Sequence, residues 1–218
     1  METLAKLILR LDRPHPVRVA IDGPDAAGKT ILADELGVTI ERSGRPVIRA
    51  SVDGFHRPRA QRLARGPESP DGYYHDSFDY QALRAALLDP LGPGGSRQVR
   101  RRVFDFRTDE PVEAPTETAP ANAVLLFDGV FLLRRDLVDA WDFSIFVAVP
   151  FTETQRRAAI RDAELFGSEA AVLDRYAVRY VPGQRLYFRQ AHPQESANVV
   201  VDNEDPDHPS LQLNVSTV

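Results

Sequence analysis

The chain has 218 residues, of which 43% are hydrophobic and 27% are charged, and its formal net charge is −5 at pH 7. This length and balance predict one globular α/β domain over 1–218 and exclude a disordered or fibrous chain, while the negative charge speaks against nucleic acid as a partner. Cysteine is absent, which excludes disulfides and thiolate metal sites and favours a cytoplasmic location.

The first segment is predicted to be an amphipathic helix, because Leu4, Leu7, Ile8 and Leu11 recur at helical spacing. No stretch approaches eighteen uncharged apolar residues, so we expect neither a membrane-spanning helix nor a membrane partner. Five short apolar runs further along the chain are typical of buried parallel strands. These runs are 17–21, 46–50, 124–127, 143–149 and 199–201.

Helical periodicity separates the apolar runs, and this alternation predicts a doubly wound, three-layer sandwich with a mainly parallel five-stranded sheet. The predicted helices are 30–42, 80–88, 134–141 and 152–165. Thr152 and Gln155 suggest a capping box at the start of the last helix. Two insertions interrupt the pattern and are expected to handle the substrate: 57–79, a loop with one short helix, and 91–122, a small β-ribbon plus loop.

The segment GPDAAGKT, from Gly23 to Thr30, matches the P-loop spacing and lies between a predicted strand and a predicted helix. Backbone N–H groups and the helix N-terminus would cradle the phosphates of ATP, Lys29 would reach the β- and γ-phosphates, and the Thr30 hydroxyl would bind Mg²⁺. The alternative is a glycine-rich helix entry without a nucleotide. The expected nucleotide-binding residues are Gly23, Asp25, Ala26, Ala27, Gly28, Lys29 and Thr30.

Two aspartates follow predicted strands, where ligands of open α/β sheets bind. Asp128 ends the run VLLF and is expected to hold Mg²⁺ or a metal-bound water, although it could merely cap the next turn. Asp53 follows the run 46–50 and could accept the proton of an attacking hydroxyl as a general base. Its alternative is an ordinary turn formed with Gly54.

Aromatic and polar residues near Asp53 are candidates for the acceptor pocket. His56, Tyr73 and Tyr74 offer ring faces and polar tips to a small molecule, whereas Phe78 is assigned to the core. Further along, strand alternation would place two rings on one face of a ribbon and Asp105 on the other. These two rings, Phe104 and Phe106, complete the predicted substrate-binding set.

Three arginines are candidates for contacts with the phosphates. Arg157 and Arg161 lie four residues apart on a predicted helix face, so one of them could close over the transferring group. We assign Arg161 a catalytic role and Arg157 a nucleotide-binding role, with ordinary surface charge as the alternative. Arg185, near a turn, is a further candidate for a phosphate or substrate contact. The basic run 97–102 is interpreted as a solvated strand edge.

These motifs resemble the uridine kinase and phosphoribulokinase group of P-loop kinases over nearly the full length of the chain. The group's P-loop is similar to GPDAAGKT, its base-bearing strand end to SVDGFHRP, its acceptor segment to YYHDSFDY, and its ribbon to FDF at 104–106. Its later motifs are similar to DGVFLL, IRD and ANVVVDN. The resemblance implies ATP and Mg²⁺ as cofactors and Asp53 as the base. It also implies a lid over about 156–185, and the lid and the ribbon would together cover the acceptor.

The departures from the group fall where the acceptor is chosen. Asp128 stands where the group usually has glutamate, and the lid segment Leu165–Ser168 lacks the group's arginines. Tyr73 and Asp109 replace an acid and a histidine that contact the nucleoside in uridine kinases.

The sequence therefore predicts a kinase for the hydroxyl of a small molecule, first a uridine or cytidine. A pantothenate- or sugar-type acceptor, or a nucleotide-binding module without an acceptor, stays open, as does assembly into a homo-oligomer.

Overall fold

The computed structural model describes residues 1–214. Each of the five predicted apolar runs forms a strand, because β-branched and aromatic side chains pack well on a sheet that is buried on both faces. In this part of the chain the strands are β1 (Val17–Asp22), β2 (Val47–Ser51), β3 (Gln98–Val99), β4 (Phe104–Asp105), β5 (Glu110–Pro111), β6 (Glu117–Thr118), β7 (Val124–Asp128), β8 (Phe143–Ala148), β9 (Val199–Asp202) and β10 (Ser210–Leu213).

The main sheet has the strand order β10-β9-β8-β1-β7-β2. The five predicted strands run parallel, while β10 pairs antiparallel with β9 at the edge. The predicted number of five strands is therefore wrong by one. Strand β10 was missed because its sequence, SLQL, is exposed on both faces and has no apolar run or alternation. The parallel register places Asp128 opposite Ile21 of β1 and Ser51 of β2.

The helices cover both faces of the sheet. They are α1 (Glu2–Leu9), α2 (Lys29–Arg42), α3 (Arg59–Arg62), α4 (Pro70–Asp76), α5 (Tyr80–Leu83), α6 (Phe151–Phe166), α7 (Glu169–Arg175), α8 (Val181–Ala191) and α9 (Pro193–Ser196). Turns of π-helix follow α5 at Arg84–Leu88 and α7 at Tyr176–Tyr180. None of the helices in residues 1–214 has the length and apolar character needed to cross a membrane.

Two buried layers of different character flank the sheet, as a three-layer sandwich requires. The layer with α1 and α2 is aliphatic, and the opposite layer is aromatic. Buried members of the first layer include Leu4, Ile8, Leu36 and Ile40, and those of the second include Phe55, Phe127, Phe131 and Tyr187. The predicted amphipathic N-terminal helix is confirmed, because Leu4 and Ile8 of α1 are buried in the aliphatic layer.

Two helix predictions are wrong. The segment 134–141 forms only a short 3₁₀ turn at Val138–Ala140. Here the Arg134 guanidinium lies over the rings of Tyr74 and Tyr80, at 4.8 and 4.4 Å, and these tertiary contacts override the helical pattern. The predicted capping box is absent from α6, which begins at Phe151 after a proline, so Thr152 lies inside the helix.

The two insertions lie in different places: the first packs against α8, and the second packs against the turn that follows β2. The first, 57–79, contains two short helices, α3 and α4, rather than the single predicted one. The second, 91–122, folds into two nested ribbons, in which β3 pairs with β6 and β4 pairs with β5. The backbone N–H of Val103 donates to the Gly54 carbonyl at 2.9 Å, which fixes the ribbon against the end of β2.

Candidate active site

The P-loop joins β1 to α2, and two of its glycines have the positive φ angles that glycine adopts readily. Gly23 and Gly28 have φ of +151° and +93°. A side chain at Gly23 would place its Cβ 2.5 Å from the Val147 carbonyl oxygen, and one at Gly28 would lie 2.8 Å from Nδ2 of Asn203. That amide donates to the Ala27 carbonyl at 2.8 Å, so the loop after β9 holds the P-loop from outside. Sequence and packing therefore both require glycine at these positions.

Replacement of Gly28 by alanine should weaken ADP binding and cost about 1–2 kcal/mol of unfolding free energy, because alanine disfavours the left-handed backbone. Gly44→Ala is the matched control, since Gly44 has φ of +86° but no heavy atom lies within 4 Å of its added Cβ. Urea unfolding should show at least as large a loss in Gly28→Ala as in Gly44→Ala, because the Cβ at Gly28 also meets Asn203, and ADP titration should show weaker binding only in Gly28→Ala. Equal ADP affinity in the two variants would contradict the assignment of this loop.

Lys29 begins α2 and is buried in the loop. Its Nζ donates to the Pro24 carbonyl at 2.6 Å, which turns the ammonium group back over the P-loop. Burial lowers the pKa of Lys29, and four surrounding carboxylates oppose that shift. In order of effect, they are Asp25, Asp22, Asp128 and Asp53. The lysine is thus the cation around which the acidic residues of the site are grouped.

Thr30 and Asp128 form the pair that fits Mg²⁺. The Thr30 hydroxyl donates to Oδ2 of Asp128 at 2.7 Å, although the residues are 98 positions apart. Hard oxygen donors of this kind suit Mg²⁺, which usually takes one or two protein ligands and completes its shell with phosphates and water. In residues 1–214, no group of three or more histidine or acidic residues could hold a metal without such help.

Asp53 lies in a 3₁₀ turn, Val52–Phe55, directly after β2, and its side chain is open to solvent. The turn begins where the Asp53 N–H donates to the Ser51 hydroxyl at 3.4 Å. The walls of the cleft remove part of the hydration of the carboxylate and raise its pKa above 3.8, helped by Asp25 and Asp128 and opposed by His56 and Lys29. A carboxylate with a raised pKa is a stronger base, which suits proton abstraction.

His56 forms the aromatic wall beside Asp53. Its ring lies between those of Phe78 and Phe106, with centroids at 4.5 and 4.8 Å. Burial lowers the pKa of His56, which favours the neutral imidazole. Phe78 is buried, as expected of a core residue, while Phe106 keeps an accessible face. Phe104 is buried, so strand alternation does not give the two phenylalanines equal access to the cleft.

The side chains of Tyr73 and Tyr74 are both buried beside the cleft. Tyr74 is 4% exposed and packs against Phe131 and Tyr187, so it lies in the core, and its contact with substrate stays a prediction. Tyr73 is also buried, and its hydroxyl donates to Oδ2 of Asp25 at 2.6 Å. Tyr73 therefore joins the acceptor segment to the P-loop.

Gln184 of α8 is a site residue that the sequence analysis missed. Its Oε1 accepts the Asp25 N–H at 2.9 Å, and its Nε2 donates to Oδ2 of Asp25 at 3.1 Å. The side chain is 2% exposed, so this two-way contact is shielded from water. It ties the P-loop to a helix 159 residues further along the chain, and no local motif marks such a partner.

The predicted phosphate-binding arginines have other partners in this structure. Arg157 bonds Glu153 and donates to the carbonyls of Asn203 and Glu204, which ties α6 to the loop behind the P-loop. Arg161 pairs with the adjacent Asp162 at 2.7 Å and is largely exposed, and this pairing raises its pKa. The guanidinium of Arg185 lies 5.7 Å from the ring centre of Phe151. Closure of any of them over the phosphates stays a prediction.

Asp22, the last residue of β1, is a second residue that was missed. It is fully buried, and it accepts hydrogen bonds from the Tyr187 hydroxyl and from the N–H groups of Gly23 and Leu133. Burial is the largest effect and raises the pKa of Asp22 from 3.8 to about 6.

This shift predicts a pH-dependent stability. The folded state binds the Asp22 proton more tightly than the unfolded state, so the contribution is present below pH 4 and is lost as pH rises through about 6. The loss amounts to about 3 kcal/mol. Urea unfolding between pH 4 and 7 should show this decline, and Asp22→Asn should flatten it. Parallel pH curves for the two proteins would contradict the assignment.

No family model matches the chain. Uridine-cytidine kinase B of Dictyostelium discoideum is 27% identical over 164 residues, which cover 74% of this chain. The match spans 65% of that relative, just under two thirds of its length.

Solved structures share the fold. A possible uridine kinase from Bacillus stearothermophilus has a TM-score of 0.72 at 23% identity and covers 91% of this chain and 95% of its own. A protein of Silicibacter sp. TM1040, provisionally named a fructose transport system kinase, has a TM-score of 0.73 at 24% identity, with coverage of 87% and 94%. D-glycerate 3-kinase of Cryptococcus neoformans has a TM-score of 0.59 at 10% identity, with coverage of 97% and 98%. The α/β P-loop kinase fold and the resemblance to the uridine kinase and phosphoribulokinase group are confirmed.

Proposed function

We propose that the protein is an ATP-dependent kinase that transfers the γ-phosphate to a hydroxyl of a small molecule. The supporting observation is that four side chains come together at the carboxyl ends of neighbouring strands. Lys29 and Thr30 follow β1, Asp128 ends the neighbouring β7, and Asp53 follows β2 on its far side. Parallel strands bring these residues together although Thr30 and Asp128 are 98 positions apart in the sequence, and ligands of open α/β sheets bind at such strand ends.

Each residue has a distinct task in this reaction. The P-loop N–H groups and Lys29 bind the phosphates and neutralise their charge. Asp53 takes the proton of the acceptor hydroxyl while the hydroxyl oxygen forms a bond to the γ-phosphorus. The bond from that phosphorus to the bridging oxygen breaks, and ADP leaves with the electron pair. Thr30 and Asp128 would hold Mg²⁺ directly or through water, and the cation would neutralise further charge on the phosphates.

The first acceptor that we propose is a pyrimidine nucleoside, uridine or cytidine. Support comes from the likeness to uridine-cytidine kinase B and from the cleft beside Asp53, where Phe106 packs against His56 and keeps an accessible face for a planar base.

A sugar- or hydroxy-acid-type acceptor is the second candidate. The observation that favours it is the burial of Tyr73 and Tyr74, which leaves fewer accessible rings for a base. The protein provisionally named a fructose transport system kinase and the D-glycerate 3-kinase share this fold, and their names refer to acceptors of this second type.

An acceptor screen tests the proposal. The purified protein is incubated with ATP, Mg²⁺ and one candidate from a panel of nucleosides, pantothenate, pentoses, hexoses and glycerate, and ADP is measured. Stimulation by uridine or cytidine supports the first acceptor, and stimulation by another member supports the second candidate. A rate that no acceptor changes would contradict the kinase proposal and favour a nucleotide-binding module.

A further inference from the structure

Arg49 of β2 lies against the candidate metal site and had no role in the sequence analysis. Three nitrogens of its guanidinium have partners. Nη1 donates to the Leu126 carbonyl at 2.7 Å, Nη2 to Oδ1 of Asp128 at 3.0 Å, and Nε to Oδ1 of Asp34 at 3.0 Å. The arms to Leu126 and Asp128 fix the planar guanidinium at two points, so Arg49 presents Nη2 to Asp128 in one direction.

The two oxygens of Asp128 have different partners. Oδ1 accepts from Arg49, and Oδ2 accepts from the Thr30 hydroxyl at 2.7 Å. The carboxylate is 4% exposed, so water does little to orient it. A short, buried side chain of this kind needs a charged partner to remain in one orientation, and Arg49 is the cation bonded to it.

We propose that Arg49 is a positioning residue for the metal site: it holds Oδ1 of Asp128 so that Oδ2 faces Thr30 and the cation. This inference rests on the proposed function, because it assigns Arg49 to the Mg²⁺ of the same nucleotide. A purely structural role is the competing explanation, since Arg49 also ties β2 to α2 through Asp34. The two explanations differ in which of the two ion pairs of Arg49 matters.

Isothermal titration calorimetry of ADP with and without Mg²⁺ tests the inference without requiring turnover. The ratio of the two affinities measures how well the protein holds the cation beside the nucleotide. In Arg49→Met we expect this ratio to fall by roughly 10-fold or more, as is usual when a residue that orients a metal ligand is lost. ADP affinity without Mg²⁺ should be unchanged within about twofold of wild type. Arg49→Lys should restore part of the ratio, because it keeps the charge but not the fork.

Asp34→Ala is the matched control, because it removes the exposed ion pair of Arg49 and leaves Asp128 untouched. It should keep the wild-type ratio. If Arg49→Met does not fold, Arg49→Gln replaces it, with thermal unfolding as the check. The inference is overturned if the arginine variants keep the full Mg²⁺ effect, or if Asp34→Ala loses it to the same extent. If ADP binds the wild-type protein neither with nor without Mg²⁺, the proposed function itself fails.

Discussion

Replacement of Lys29 by alanine should abolish phosphoryl transfer, with a loss of roughly 10³-fold or more in kcat/KM. The Nζ group lies over the P-loop at 2.6 Å from the Pro24 carbonyl, within a ring of four carboxylates. Removal of this cation would leave those negative charges facing the phosphates, so both binding and the transition state should suffer. The measurement is the initial rate of ADP formation with the best acceptor of the screen.

Lys6→Ala is the matched control for Lys29, since Lys6 is an exposed lysine of α1. It should retain wild-type turnover. Removal of the cation leaves the surrounding carboxylates without their compensating charge, so thermal unfolding is measured to check that Lys29→Ala is folded. A folded Lys29→Ala protein with wild-type kcat/KM would contradict a role for the P-loop lysine in phosphoryl transfer.

The second large effect is expected from Asp53→Asn, which should lower kcat by ~10²-fold or more while ATP affinity stays intact. Asparagine matches aspartate in size but cannot accept the proton of the acceptor hydroxyl. Asp53 is separate from the P-loop backbone that would bind ATP, so the effect should appear in kcat rather than in nucleotide binding. Initial rates combined with ATP titration distinguish the two quantities.

The pH dependence gives a second check on Asp53. The base must be deprotonated, so activity should fall as pH falls through the pKa of Asp53, which the cleft raises above 3.8. Asp53→Asn should lack this acid limb. Wild-type turnover by the variant, or an unchanged acid limb, would show that another group accepts the proton.

Most of the central sheet could be predicted because its signals are local. Each parallel strand is a short apolar run with turn residues at its ends, and helices α2 and α6 follow clear periodicity. The errors arose where tertiary contacts decide the conformation. Stacking of Arg134 on two tyrosines replaces a helix by a turn, and β10 exists because it pairs with β9 rather than because its residues are apolar.

The same distinction applies to the candidate site. The P-loop, Asp53 and Asp128 belong to motifs that can be recognised in the sequence. In the structure they lie together at the carboxyl ends of neighbouring strands. The partners that the sequence did not reveal are far apart along the chain: Asp25 and Gln184 are separated by 159 positions, and Arg49 and Asp128 by 79. The burial of Tyr74 could not be predicted, because an aromatic side chain beside a loop can pack inward or outward and sequence spacing does not distinguish the two.

Phosphoryl transfer from ATP to an acceptor is tested most directly by following the γ-phosphoryl group itself. ATP carrying ¹⁸O in its γ-phosphate is incubated with the protein, Mg²⁺ and the acceptor that stimulates ADP formation, and the products are analysed by mass spectrometry. We expect an organic phosphate monoester that retains three labelled oxygens, formed in equal amount to ADP. Label found only in inorganic phosphate would contradict this expectation, because the protein would then be transferring the group to water.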